Sequence, residues 1–466
     1  MRRRYACFLS AVALAGCTLG PNYKRPSVPV PADYRGAAAP PGAASLAETK
    51  WSDLFQDEVL KKLIASALGQ NLDLAIAAQR VEEARAQFRI TGANRYPFLY
   101  AQAQLSATRP SLIGNQTDIP PGVSLDSTTT QAGAALSWEL DLWGRLRRLT
   151  QSARAQYLAT EEARRGVVVS LVADMATSYF TLRERDLELE IARGTRDVAA
   201  HNLDLIRLRH DHGAATGLDV HQAEQLFYIA SAQMANAESG IGQAENAVSL
   251  LLGQPPGDVA RGKPVDEFGL PPELPAGLPS SLLERRPDIR EAEQKLIAAN
   301  AQIGVAKAYY FPQISLTGFL GGQTRALTDL FTGPARFWTI TPSAVAPIFT
   351  AGQVRVAVHL SEAQQREMVI AYQRTIYTAF REVSDALVRY RHTREQRHQQ
   401  DDLVHALIET TRLSNQRYSA GQDSYLQVLD AERSLFQARL TLAQLRLQEL
   451  TSSVDLYRAL GGGWSE

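Results

Sequence analysis

The chain carries one long pattern twice. Residues 71–99 align with residues 286–314 at an offset of 215, and residues 144–213 align with residues 352–421 at an offset of 208. Because the offset falls by seven between these blocks, the length difference between the copies lies in a loop. Two copies of one unit predict two halves of similar fold.

Each copy predicts the same order of elements: helix, strand, strand, long helix, turn and returning helix. In four stretches apolar and polar residues alternate, which is the pattern of a β-strand with two different faces. The predicted strands are residues 97–109, 128–141, 312–321 and 336–348. Strands of about ten residues have the length of membrane β-strands. The Ser/Thr/Gly/Pro-rich segments 111–130 and 321–334 are predicted to join each pair as exposed loops.

Four such strands cannot close a barrel, and open sheet edges are not tolerated in hydrocarbon. We therefore expect a barrel shared between subunits, and three copies, with twelve strands, are the smallest number that leaves a channel. Residues 144–213, if largely helical, extend on the order of 100 Å at about 1.5 Å per residue, which suits a periplasmic tunnel. A 3/4 spacing of apolar residues from Leu426 to Tyr457, with a second seam from Val428 to Leu456, indicates coiled-coil contacts on two sides.

The first residues have the pattern of a secretory leader. Arg2, Arg3 and Arg4 precede an apolar run that is too short to cross a bilayer as a helix. The run ends in Leu-Ala-Gly-Cys17, which resembles a lipobox, so we predict a signal peptide at residues 1–16 and lipid on Cys17. An ordinary signal peptide with an incidental Cys is the alternative. The absence of Asp after the Cys fits sorting to the outer membrane of a Gram-negative bacterium.

The remaining chain divides along the repeat. Pro-rich segments lie before the first copy and between the copies, and neither resembles a domain. The predicted segments are a lipidated arm at 17–56, a first repeat at 57–253, a linker at 254–281, a second repeat at 282–460 and a tail at 461–466.

Composition and motifs exclude several classes of function. Basic and acidic residues balance at 49 each, which argues against nucleic acid as a partner. After cleavage and lipidation no thiol remains for disulfides, thiol catalysis or metal thiolates. His210, His212 and His221 lie near one turn, but exposed histidines without further ligands do not predict a metal site. We expect no catalytic residues and no cofactor apart from the covalent lipid, and therefore no enzyme.

Five motifs give the chain a strong resemblance to a known family. They are Cys17–Pro26, Trp138–Arg145, Arg285–Ile289, Tyr310–Ile314 and Arg417–Gly421. The chain resembles the outer membrane factor, or TolC-like, family, in the lipoprotein branch that serves tripartite RND-type multidrug efflux pumps. The resemblance runs from the lipobox nearly to the C-terminus.

The resemblance implies a mainly α fold with membrane β-structure. Three copies would form a 12-stranded β-barrel continued by a 12-helix periplasmic α-barrel. The partners implied are two further copies, a periplasmic adaptor, an inner membrane pump of RND type and outer membrane lipid. The turns at Gly213 and Gly421 are where adaptor tips dock in this family.

The resemblance also implies a gate at the periplasmic end. Tyr418, Asp430 and Asp219 fall on positions of the family's closing network of carboxylates, Tyr and Arg. Gln427 stands where a second ring carboxylate is expected, and Asp423 where a gate Arg is expected, so the closing bonds can differ here. Three symmetry-related carboxylates near an axis would attract cations, and their repulsion must be offset by hydrogen bonds or protonation.

Two functions are carried forward from the sequence. The first is a passive exit duct for drugs or other small molecules across the outer membrane, opened by the adaptor and the pump. The second is a non-conducting structural coiled-coil lipoprotein of the outer membrane. Amphipathic strands with a polar face favour the first. The sequence leaves antibiotics, solvents, dyes and metals all open as substrates.

Overall fold

The structure is a computed structural model of the full chain, and it describes residues 18–36, 46, 50–111, 126–268 and 276–462. The predicted signal peptide, Cys17 and the last four residues of the tail lie outside the described residues. By contacts the chain forms two compact units. Unit 1 comprises Met1–Pro26, Val81–Ala159 and Ala292–Tyr372, and unit 2 comprises Ser27–Arg80, Thr160–Glu291 and Gln373–Glu466.

The described residues form long helices and four strands. In chain order these are α1 (Trp51–Leu54), α2 (Glu58–Gln70), α3 (Leu72–Ala93), β1 (Phe98–Thr108), β2 (Ser127–Leu140), α4 (Arg145–Asp211), α5 (Gly217–Leu251), α6 (Leu282–Arg285), α7 (Pro287–Ala308), β3 (Gln313–Thr324), β4 (Arg336–Val345), α8 (Gln353–Ser419) and α9 (Tyr425–Ala459). No helix within these described ranges is both long enough and apolar enough to cross a membrane.

The duplication predicted from the sequence is confirmed in the lengths of the helices. Helices α4 and α8 have 67 residues each, α5 and α9 have 35 each, and α3 and α7 have 22 each. Both long pairs are offset by 208 residues and the short pair by 215, which are the offsets found in the sequence.

The four strands form one antiparallel sheet in the order β1-β2-β3-β4. Its register places apolar residues opposite apolar ones, with Leu99 facing Leu136 and Leu320 facing Trp338. Polar residues line up in the same way, because Gln131 faces both Gln104 and Gln323. Since side chains alternate between faces, the pairing gives the sheet one mostly apolar face and one mostly polar face.

Two strand ends differ from the sequence-based expectation. Strand β3 continues to Thr324, so the first residues of the predicted loop 321–334 are paired with β2. Here Gly133 and Gly321 face each other, and a Cβ on Gly321 would lie 2.2 Å from the carbonyl oxygen of Ala132. These glycines permit close approach of the strands rather than marking a loop. Strand β4 ends at Val345, two residues before Pro347, which has no N–H to donate.

Unit 2 contains an extensive apolar core. Residues of α2 and α4, including Leu60, Ile64 and Tyr179, are fully buried together with Val248 of α5 and Val454 of α9. Most of the predicted seam of α9 is buried in the single chain, whereas Leu426 at its start is 51% exposed. The core therefore joins the helices of both repeats within this unit.

Candidate functional site

The two turns that join the long helices are alike. Gly213 and Gly421 have φ values of +70° and +71°, the left-handed conformation that glycine adopts without strain. In each turn the glycine N–H and the next N–H donate to carbonyls of the last helical turn; in the second these bonds are Gly421 to Tyr418 (2.9 Å) and Gln422 to Arg417 (2.9 Å). The predicted adaptor-docking tips are thus two well-formed helix ends.

Asp423, where the family resemblance leads one to expect a gate Arg, pairs with Arg417 in the same hairpin. The Arg417 Nε donates to Asp423 Oδ2 at 2.5 Å, and Nη2 donates to Oδ1 at 3.2 Å. The hydrogen bonds and charge of the guanidinium lower the pKa of Asp423 below its ordinary value. Asp423 therefore stabilises the turn of its own hairpin, and a role for Asp423 in a gate stays a prediction.

The other tip residues fall into two local groups. The ring of Tyr418 lies 5.5 Å from that of Tyr425, and the guanidinium of Arg209 lies 5.0 Å from the Tyr418 ring centre. Asp219 forms a capping box at the start of α5, because its Oδ2 accepts from the N–H and the hydroxyl of Thr216, both at 2.8 Å. The structure thus gives Asp219 a local structural partner and leaves its predicted gate role untested.

Asp430 and Gln427 are exposed on α9. Asp430 lies in a groove of about 730 Å³ between α5, α8 and α9. Arg433 and Phe436 line the same groove, so the carboxylate has a cation and an apolar surface beside it. An exposed carboxylate can meet a solute or a second copy, which keeps the prediction for Asp430 open.

Sequence reasoning missed a buried carboxylate near this tip. Glu432, two residues after Asp430, is 8% exposed and accepts a hydrogen bond from the side chain of Asn202 at 2.9 Å. Burial raises the pKa of Glu432 above its ordinary value. The repeat marked this position without showing its burial, because Glu432 lies 208 residues after Glu224 and both copies carry a glutamate there.

The arm that follows Cys17 is held firmly in unit 1. Arg148 of α4 donates to the carbonyl oxygens of Leu19 (2.9 Å) and Gly20 (3.1 Å) and to the side chain of Asn22 (2.9 Å). Thr18 lies against Gly144, where an added Cβ would be 2.9 Å from the Thr18 Cα. The arm therefore begins beside the junction between β2 and α4.

A second anchor fixes the next part of the arm. Glu293 of α7 is buried, and its carboxylate accepts two hydrogen bonds from Arg25, both at 2.7 Å, and one from the Tyr23 hydroxyl at 2.9 Å. Asn300, also of α7, donates to the carbonyl oxygen of Pro21 at 2.9 Å. The described part of the Cys17–Pro26 motif is thus bound within unit 1 by side chains of α4 and α7.

The histidines near the first turn have ordinary partners. His221 Nδ1 lies 3.0 Å from a carboxylate oxygen of Glu224 and His210 Nδ1 lies 3.5 Å from Asp211. Across the part of the chain that the structure describes, no three His, Cys, Asp or Glu side chains are grouped as a metal site would require.

The sequence matches one protein family over most of its length. The profile described as "Outer membrane efflux protein" matches residues 63–254 and 278–462, that is, each repeat separately. A similar curated protein is the solvent efflux pump outer membrane protein SrpC of Pseudomonas putida, 40% identical over 97% of this chain and 96% of that protein. Another is the cation efflux system protein CusC of Escherichia coli, 37% identical over 98% of each chain.

The fold is also similar to solved structures. The outer membrane channel MtrE of Neisseria gonorrhoeae, in its open state, superposes with a TM-score of 0.87 at 32% identity, over 96% of this chain and 99% of that one. Sequence and fold therefore agree on the family over nearly the whole chain.

Proposed function

This chain belongs to the outer membrane efflux protein family, and from that membership we propose that three identical copies form the outer membrane duct of a tripartite pump. It is an outer membrane component of an efflux system, as its relatives are. The finer points proposed here are the homotrimer, a periplasmic adaptor, an inner membrane pump of RND type and a lipid on Cys17. The chain would serve as a passive duct, with energy supplied by the pump.

The observation that carries this proposal is the four-stranded sheet. Its end strands, β1 and β4, each pair on only one side among the described residues, and one sheet face is mostly apolar. In hydrocarbon every backbone polar group needs a partner, so β1 and β4 must be covered by other strands. Pairing β4 of one copy with β1 of the next supplies these partners, and three copies give twelve strands.

The duct is tested by recording from purified, crosslinked trimers in planar bilayers. We expect step-like single-channel currents in potassium chloride, because a twelve-stranded barrel leaves a water-filled lumen. Folded trimers that carry no current, alone or with an adaptor, would instead favour the structural lipoprotein.

Lipid attachment is supported by how the arm is docked. Thr18, the residue after Cys17, lies where strand β2 gives way to α4. The described part of the arm therefore begins next to the sheet that we propose to lie in the membrane. We expect Cys17→Ser to abolish labelling by radioactive palmitate, since the Cys17 thiol is the proposed acceptor of the lipid and a hydroxyl does not replace it. Cys7→Ser is the matched control and should keep full labelling; label retained in Cys17→Ser would place the lipid elsewhere.

Asp430 is proposed as the gate carboxylate. Three copies of this exposed side chain near the axis would attract cations and repel anions. We expect Asp430→Ala to reduce cation preference several-fold, measured as the reversal potential in a salt gradient. Asp430→Glu keeps the charge and should keep the preference. An Asp430→Ala channel with unchanged conductance and selectivity would remove this residue from the gate.

The substrate follows from no single residue. Relatives of nearly equal identity are named for solvents, in SrpC, and for cations, in CusC. We propose that the duct accepts many small solutes and that the adaptor and pump choose among them. Susceptibility of a deletion strain to solvents, antibiotics and metal-cation salts, with and without candidate pumps, tests this choice.

A further inference from the structure

A cavity of about 500 Å³ lies in unit 2, where α7 begins and α9 ends. Residues of α4 and α8 complete its lining. Pockets that hold small organic ligands have volumes of roughly 300–1,000 Å³, and this cavity falls in that range. The lining contains four arginines and four acidic residues, so the cavity is strongly polar but carries no net charge. The arginines are Arg286, Arg381, Arg389 and Arg458.

One of these arginines has a structural task that the first repeat performs without a charge. Arg286 is buried, is held by two carboxylates, and donates to the carbonyl oxygen of Ala459 at the end of α9 at 2.9 Å. The equivalent residue of the first repeat is Asn71, whose side-chain amide donates to the carbonyl oxygen of Leu251 at 2.9 Å. The junction of these helices therefore needs a donor at this position but not a charge.

Most of the other charges of the cavity are absent from the first repeat. Helices α8 and α9 contribute six charged residues to the lining, and five of them have an alanine, a threonine or a leucine as their counterpart 208 residues earlier. Because both repeats form helices of the same lengths, their shared fold does not require these charges. The five residues are Arg381, Asp385, Arg389, Asp455 and Arg458.

The ion pairs within the cavity differ in strength. Asp455 is shared by Arg458 at 2.9 Å and Arg389 at 3.1 Å, so its charge is matched inside the protein. Arg381 and Asp385 lie one turn apart on α8 at 3.9 Å, which is beyond hydrogen-bond distance, and their side chains are 68% and 65% exposed. Such an exposed pair contributes little to stability. Its two charges can therefore be exchanged for those of a ligand at little cost.

The N-terminal arm leaves this pair accessible. The ring of Tyr34 lies 6.4 Å from that of Phe380 on α8, and Gly36 lies against Val388. Asp385 follows Phe380 by five residues and therefore points about 140° away from it around the helix. The arm thus packs against a different face of α8 from the one that lines the cavity.

We propose that this cavity binds a small zwitterion, with the ligand's carboxylate on the Arg381 guanidinium and its ammonium group on the Asp385 carboxylate. The planar guanidinium matches a carboxylate with two parallel hydrogen bonds, and a carboxylate pairs well with a compact ammonium group. A lining without net charge favours a ligand without net charge. The inference rests on the proposed function for the supply of solutes, and deepens it by naming one class that the chain itself holds.

The probe is Nε-dansyl-lysine, which carries an α-carboxylate and an α-ammonium group beside a fluorescent tail. Its methyl ester is a cation and its Nα-acetyl derivative is an anion, so one scaffold supplies three charge states. Binding to full-length trimers in detergent is measured by equilibrium dialysis against the same concentration of micelles. We expect the zwitterion to bind about tenfold more tightly than either derivative, because each derivative loses one of the two ion pairs.

Two variants separate the two contacts. Arg381→Gln should weaken binding of the zwitterion about tenfold and leave the cationic ester within about twofold. Asp385→Asn should weaken the zwitterion by a similar factor and leave the anionic derivative within about twofold. Arg412→Gln is the matched control, because Arg412 is an exposed residue of the same helix that pairs with Glu409 away from the cavity. It should bind all three probes as the wild type does.

Several results would overturn the inference. These are equal binding of the three probes, wild-type binding in both Arg381→Gln and Asp385→Asn, or no binding above that of micelles alone, as expected if a second copy covers the cavity. Conductance in planar bilayers is recorded on the same preparation. Trimers that conduct without binding the zwitterion would remove this site and keep the duct, whereas trimers that bind it without conducting would remove the duct and keep the site.

Discussion

Replacing Asp57 by Ala is expected to lower the free energy of unfolding by about 3–5 kcal/mol. Asp57 is 1% exposed and its carboxylate joins three segments of unit 2. It caps α2 by accepting from the N–H groups of Val59 (2.7 Å) and Leu60 (3.0 Å). It also accepts from the Lys263 N–H (2.8 Å) in the linker and the Tyr179 hydroxyl (3.3 Å) of α4.

The size of this effect follows from what the truncation leaves behind. Loss of a helix cap costs about 1 kcal/mol, and each buried donor without a partner costs about 1–3 kcal/mol more. Gly262 packs so closely that an added Cβ would lie 2.3 Å from Asp57 Oδ2, so the linker is built around this carboxylate.

Denaturation of the purified protein in detergent measures this loss. Glu58→Ala is the matched control, since Glu58 is the next residue but its side chain is 75% exposed and pairs with Lys61 at the surface. Asp57→Asn keeps one acceptor oxygen and should fall between the two. A loss for Asp57→Ala no larger than that for Glu58→Ala would show that the linker is held by other contacts.

The second large effect is a loss of stability as the pH rises from about 5 to about 8. Glu184 and Glu188 lie one turn apart on α4 and are 1% and 0% exposed. Arg185 is shared between them, at 2.5 Å from Glu188 Oε2 and 3.5 Å from Glu184 Oε2. Burial first, and then the charge of Glu188, raises the pKa of Glu184 to about 8. Glu184 therefore keeps its proton at neutral pH in the folded chain.

The direction of the pH dependence follows from which state holds the proton. Between the ordinary carboxylic acid pKa and about 8, the folded chain binds a proton at Glu184 that the unfolded chain has released. The contribution of Glu184 to the free energy of unfolding is therefore largest below that window. It decreases across the window by up to about 1.4 kcal/mol per pH unit and is lost above it.

The isosteric variant isolates this contribution. Glu184→Gln cannot ionise, so its melting temperature should fall less than that of the wild type between pH 5 and about pH 8, and the two curves should run parallel above that pH. Glu190→Gln, which removes an exposed carboxylate from the same helix, serves as the control and should follow the wild type. Parallel curves for wild type and Glu184→Gln would mean that Glu184 is already ionised at neutral pH.

The sequence predicted those features of the structure that depend on residues close together in the chain, and missed those that depend on contacts between distant residues. Alternation and repetition are local signals, and they located all four strands and the long helices. They could not show that Gly321 lets β3 run on beside β2, because that depends on Gly133, almost 190 residues earlier. The burial of Glu432 was missed for the same reason, since its partner Asn202 is 230 residues away.

The gate roles of the tip residues stay predictions for a physical reason. The family resemblance implies gate roles for Asp423 and Asp219, and within the single chain their carboxylates accept from Arg417 and Thr216, which are local turn and capping contacts. A carboxylate near a helix end satisfies the nearest donors first, and the sequence pattern does not reveal whether a distant group competes. Contacts with a second copy decide the remaining roles.

The equal helix lengths of the two repeats constrain how such a chain can evolve. Deleting one residue inside α4 would turn all later side chains by about 100° and move the hairpin end by about 1.5 Å relative to its duplicate. A change of length in one long helix should therefore be retained only if the equivalent helix of the other repeat changes by the same number of residues. The connections between strands are not constrained in this way. Residues 109–126 join β1 to β2, whereas residues 325–335 join β3 to β4 and form a segment seven residues shorter. Inherited insertions and deletions should accumulate at those connections, and an alignment of descendants would show gaps there before any in α4, α5, α8 or α9.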